Sequence, residues 1–132
     1  MSLNKATNWE GRKKFDIDLE FGQTWEKHID ELFCGAKTCE VKTERDQWAR
    51  TGNICIEVER YGKPSGLDAT ESDMWAHNLV KDGKLLCTLV FPTDVLKELV
   101  PKATKGTVMG GDNRASKLNL VPLKKLMNAV LD

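Results

Sequence analysis

Two stretches that alternate with a period of two constrain this 132-residue chain more than any other feature. In Thr38-Cys39-Glu40-Val41-Lys42-Thr43-Glu44, Cys39, Val41 and Thr43 fall on one side and Thr38, Glu40, Lys42 and Glu44 on the other. In Asn53-Ile54-Cys55-Ile56-Glu57-Val58-Glu59, the aliphatic Ile54, Ile56 and Val58 separate from Cys55, Glu57 and Glu59. Each reads as a strand with its apolar face toward a core. Paired as a hairpin around Arg45 to Gly52, they predict Glu40, Lys42, Glu57 and Glu59 on one shared face, where opposed side chains stand about 5 Å apart at Cβ. Three carboxylates that close repel, which predicts a raised carboxylate pKa unless a cation, a buried proton or ample solvent relieves them. A divalent metal on oxygen ligands is the reading that gives the arrangement a purpose.

Length fits one domain, residues 1–132, with a single core. Twenty basic residues balance twenty acidic ones, so any polyanion site is a local patch rather than a property of the whole molecule. The stretch 1–14 is polar, carries Lys5, Arg12, Lys13 and Lys14, and reads as a poorly ordered N-terminal segment rather than a secretory signal. No run reaches the length of a membrane span, and a cytoplasmic protein with no membrane partner is expected. The four cysteines, Cys34, Cys39, Cys55 and Cys87, lack zinc-finger or Cys-x-x-Cys spacing, which predicts reduced, buried thiols. His28 and His77 stand alone and read as ordinary helix residues.

Along the chain, Phe15 to Phe21 alternates strictly before Gly22 and predicts a short strand or extended lead-in. Trp25, Ile29, Leu32 and Phe33 then lie on one helical stripe within Gln23 to Phe33, with Thr24 as a candidate N-cap and Gly35 as the breaker. The connection Glu44 to Gly52 is too long for a tight turn. Its Arg45, Trp48 and Arg50 suit a polyanion, since Arg grips phosphate and Trp stacks on bases; a Trp folded back on the core is the alternative. Arg60 to Leu67 is a Gly- and Pro-rich loop whose Arg60, Lys63 and Ser65 are suited to phosphates. A helix is predicted through Met74, Trp75 and Leu79 to Asp82-Gly83, followed by Leu85 to Phe91 as a strand buried on both faces. That order implies a crossover and a mixed sheet. A short helix from Pro92, ended by Pro101, precedes a last strand at Thr107 to Met109 and a turn at Gly110 to Asn113 with Arg114 and Lys117 beside it. Pro122, at the first helical position, opens a closing helix with Leu123, Leu126, Met127, Val130 and Leu131 on its core face.

A helix with Glu26, then Glu40-Val41-Lys42, then Glu57 in an apolar strand resembles the PD-(D/E)XK, or restriction-endonuclease-like, superfamily of metal-dependent nucleases. The strings Thr51 to Glu57, Gly62-Lys63-Pro64-Ser65-Gly66 and Ala69 to Trp75, with Gly110-Gly111-Asp112 and Leu120 to Leu123, are similar to small phage-encoded proteins of that class. The resemblance implies an α/β fold with a mixed central β-sheet flanked by helices. It implies a metal-dependent DNA endonuclease, in some cases resolvase-like, that uses Mg²⁺ or Mn²⁺ on duplex or branched DNA, with a homodimer as an option. It further implies Glu40, Lys42, Glu57 and Glu26 as catalytic residues, with Glu40, Glu57, Glu26, Asp18 and Glu59 as candidate metal ligands. The motif order departs from the family pattern, because Glu-x-Lys comes on the first strand. Either Lys42 acts across from Glu57, or Glu59 stands in the lysine position. The alternative at the level of function is a catalytically inactive nucleic-acid-binding or accessory protein on the same fold.

Overall fold

The structure is a computed structural model that describes the backbone of residues 9–132 and the side chains from Leu19 onward. Its contacts divide the chain into two compact units, residues 1–37 and 38–132.

The described part of the first unit is one helix, α1 (Trp9–Phe33), and the turn that follows it. The strand expected at Phe15 to Phe21 is therefore helical, as are residues 9–14 of the expected disordered segment; residues 1–8 lie outside the described ones. Phe21, Trp25, Ile29 and Phe33 recur every fourth residue, so the helical stripe runs back past Gly22 and overrides the local alternation. Thr24 is interior rather than a cap, its hydroxyl donating to the Glu20 carbonyl at 3.0 Å. Gly35 ends the run at φ +78°, where only glycine is unstrained.

The second unit is mixed α/β and carries two sheets rather than one. β1 (Cys39–Arg45), β4 (Met74–Lys81) and β5 (Lys84–Pro92) form the first, with β4 central, parallel to β1 and antiparallel to β5. β2 (Asn53–Arg60), the two-residue β3 (Lys63–Pro64), β6 (Gly106–Gly110) and β7 (Ser116–Pro122) form an antiparallel second sheet in the order β3-β2-β7-β6. The expected β1–β2 hairpin does not form. A short helix, α2 (Gln47–Thr51), joins those strands, and each finds its main partner far away in sequence, β4 for β1 and β7 for β2.

Met74 to His77 are consecutively buried, which marks a strand covered on both faces and not the predicted helix. β5 takes the opposite role. Its apolar run is an edge strand with Leu85, Leu86 and Val90 exposed. The sequence cue for a doubly covered strand thus fell on the wrong neighbour, because polar His77 and Asn78 disguise the central one. β7, unforeseen as a strand, fills the middle of the second sheet.

Helices α3 (Thr93–Ala103) and α4 (Leu123–Leu131) complete the unit; α3 runs past Pro101 within its last turn, and Pro122 precedes α4 as its cap residue. The core joins Ile54, Ile56 and Val58 of β2 to Trp75 and Leu79 of β4, Leu96, Leu99 and Val100 of α3, Val121 of β7 and Leu126 of α4. The apolar side of β2 is inside, as its alternation predicts. For β1 the reverse holds: Glu40, Lys42 and Glu44 are half-buried while Cys39, Val41 and Thr43 are exposed.

Candidate functional site

Three side chains of β1 point inward at positions 40, 42 and 44, toward the strand β2 that belongs to the other sheet. The Lys42 ammonium lies 3.9 Å from Glu40 Oε2. Glu57 of β2 lies within the electrostatic reach of the same ammonium. Glu57 accepts a 2.6 Å hydrogen bond from the Ser65 hydroxyl. The Ser116 and Ser65 hydroxyls hold its carboxyl below the usual range; partial burial opposes them, and the Lys42 and Arg60 cations add to the lowering. The raised carboxylate pKa expected from mutual repulsion is therefore not found at Glu57, because hydroxyl donors and two cations surround the charge.

The glycine-rich loop is shaped around this carboxylate. Gly66 has φ +52°, and a Cβ placed there would fall 2.2 Å from the Glu57 carbonyl oxygen, so only glycine lets Ser65 reach its partner. Behind Glu57, Arg60 donates to Ser116 Oγ at 3.0 Å and lies over the Tyr61 ring at 5.4 Å. Gly111, at φ +71°, abuts Ser116, so the Gly110-Gly111 turn closes on the same spot.

The other sequence candidates take different places. Glu59 pairs with Lys117 at 3.9 Å and lines a separate depression with Leu67, Asp68 and Lys97. Glu26 is an exposed residue of α1 in the first unit, and the side chain of Asp18 lies outside the described ones. Trp48 is folded back: its indole N–H donates to the Val80 carbonyl at 2.8 Å, and its half-buried ring packs against the core. Arg45 and Arg50 remain exposed, lining an open depression with Asp46 and Gln47. Lys63 is exposed on β3, whereas Arg60 and Ser65 are committed to Ser116 and Glu57.

Sequence reasoning missed a buried network beside the site. Glu44 accepts from the Cys55 backbone N–H at 3.0 and 3.1 Å through its two oxygens and meets His77 Nε2 at 2.5 Å. The Trp75 indole N–H lies 3.1 Å from His77 Nδ1. An indole only donates, so Nδ1 accepts and Nε2 carries the proton given to Glu44. The alternation of β1 put Glu44 beside Lys42, but reading His77 as a helix residue concealed its partner. Ser116 left no signal at all.

Burial and the adjacent Glu44 charge push the Cys55 thiol up, which makes it a poor nucleophile, while Cys34, Cys39 and Cys87 are exposed rather than buried. Among the described residues no three His, Cys, Asp or Glu side chains converge as a metal cage, and no helix is long and apolar enough to cross a membrane. Mg²⁺ is commonly held by one or two carboxylates with waters and substrate phosphate completing its shell, and to such a shell Glu40 and Glu57 would each offer one carboxylate. No protein-family model, curated protein or solved structure matches this chain.

Proposed function

We propose that this protein is a metal-dependent DNA endonuclease with a restriction-endonuclease-like core, hydrolysing phosphodiester bonds in duplex or branched DNA. The observation that carries this reading is the position of Lys42, against Glu40 on its own strand and within reach of Glu57 on a strand of the other sheet. Two carboxylates and an ammonium at one place combine ligands for Mg²⁺ or Mn²⁺ with a cation for the charge that gathers on a phosphate. Glu40 and Glu57 would hold the metal, which supplies neutralisation of phosphate charge and a more acidic bound water. The lowered pKa of Glu57 keeps it ionised and ready as a ligand at neutral pH. Lys42 would orient the attacking water or stabilise the pentavalent phosphorane. Arg45 and Arg50, exposed on α2 and its approach, would grip backbone phosphates.

A second reading, a DNA-binding accessory protein without chemistry, is favoured by the lack of a third acid beside Glu57 among the described residues. Incubating supercoiled, branched and single-stranded DNA with the protein in Mg²⁺ or Mn²⁺ separates the two. Cleavage that disappears in Glu57→Ala and Lys42→Ala is the expected result. Binding without cleavage by the wild type would leave only the accessory reading.

A further inference from the structure

We infer that Glu44 is a positioning residue, whose carboxylate is the joint that holds Lys42 of one sheet within reach of Glu57 of the other. The need for a joint follows from the topology. β1 and β2 lie in different sheets, and among the described residues the two bonds from Cys55 N–H to the Glu44 carboxylate are the only hydrogen bonds between these strands. The edge of β2 turned away from β7 is paired only at Glu59 and Arg60, by β3, so the Cys55 N–H would otherwise have no strand to receive it. Glu44 takes the place of that strand.

Its placement transmits directly to the site. Lys42 is two residues before Glu44 on β1, and Glu57 is two residues after Cys55 on β2. Each step of two residues covers about 7 Å along a strand and returns to the same face. The Glu44 to Cys55 link thus lies one such step along each strand from Lys42 and Glu57, whose charges are within reach of each other although no backbone ladder connects the strands.

The joint is itself held. The His77 side chain is 2 % exposed and donates its Nε2–H to Glu44, while Trp75 occupies Nδ1 and forbids the other tautomer. Glu44 thus faces two donors, one backbone and one imidazole. A glutamine in its place has one acceptor oxygen, and its amide N–H₂ would have to confront either Cys55 N–H or His77 Nε2–H. The volume is unchanged and one link disappears.

The purpose of this joint rests on the nuclease reading, but its geometry does not, and the test exploits that difference. Zero-length carbodiimide coupling links ammonium and carboxylate groups in contact, and peptide mass spectrometry counts the products. The Lys42–Glu40 link lies within β1 and serves as the internal standard; the Lys42–Glu57 link spans the joint. In Glu44→Gln the ratio of the second to the first should fall about fivefold or more, since removing one buried hydrogen bond is worth roughly that factor. His77→Gln keeps a donor where Nε2 stands and should hold the ratio near wild type, whereas His77→Leu should lower it; this pair decides the matter if Glu44→Gln does not fold. Absence of the Lys42–Glu57 link in the wild type, an unchanged ratio in both Glu44→Gln and His77→Leu, or a Leu variant that outperforms Gln, would show that the network does not position this pair and overturn the inference. Cleavage assays on the same variants report separately. A fall in kcat at constant KM joins the two readings, and wild-type protein that cross-links as described yet never cuts removes the nuclease reading alone.

Discussion

Glu57 shows how one residue's surroundings set the sign of a stability effect. Its pKa is lower folded than unfolded, through the Ser116 and Ser65 hydroxyls first and then through Lys42 and Arg60. The stability it contributes is therefore complete above the ordinary glutamate range and is lost as pH falls through the lowered value. Glu57→Gln should lower the urea midpoint at neutral pH and leave it nearly unchanged in acid, once the pH has fallen through the lowered value. A difference that stays constant across that range would mean the carboxylate charge is not what the hydroxyls hold. Gly66 offers a sharper test of the same corner. Alanine there meets the Glu57 carbonyl at 2.2 Å from a backbone at φ +52°, so Gly66→Ala should destabilise by about 1–3 kcal/mol. Equilibrium unfolding showing wild-type stability would contradict the packing of this loop.

At the scale of elements, α2 sets which side chains of this region would be offered to a polyanion. Trp48 anchors it to β4 through the Val80 carbonyl, which leaves Arg45 and Arg50 as the outward groups. If they grip phosphates, replacing either with Ala should reduce the slope of log affinity against log salt by about one for each phosphate no longer held, with little dependence on DNA sequence. Trp48→Ala should act through stability instead. An affinity that ignores salt would assign these arginines to solvent. β4 and β5 teach the companion lesson, since the more apolar strand became the edge and the one carrying His77 and Asn78 became the centre. Apolarity along a strand measured what it offers to a core, whereas the position in the sheet followed from β1, which pairs β4 along its whole length.

For the molecule as a whole, metal binding and stability should be linked through residues of both sheets. An ion held by Glu40 and Glu57 in the folded state alone should raise the melting temperature, by about 2.7 kcal/mol of stabilisation at a hundredfold its dissociation constant. Glu57→Ala should abolish that response and Lys42→Ala should keep it, because an ammonium is no ligand; thermal melts with Mn²⁺ read both directly. An undiminished shift in Glu57→Ala would place the ion elsewhere. The sequence by itself determined part of the local structure. Its period of two fixed which side chains of β1 and β2 travel together, Gly35 and the Gly62 to Gly66 stretch marked breaks between elements, and Glu40, Lys42, Glu57 and Glu59 were expected on one shared face. Tertiary structure alone decided that Glu40, Lys42 and Glu44 face inward, that Glu59 leaves them for Lys117, that β1 and β2 belong to different sheets, and that Ser116 and His77 join from a distance. The physical reason is that periodicity is a local property of the backbone. Which face is buried, and which strand lies alongside, depend on hydrogen bonds and packing between residues far apart in sequence, whose free energy no short window contains.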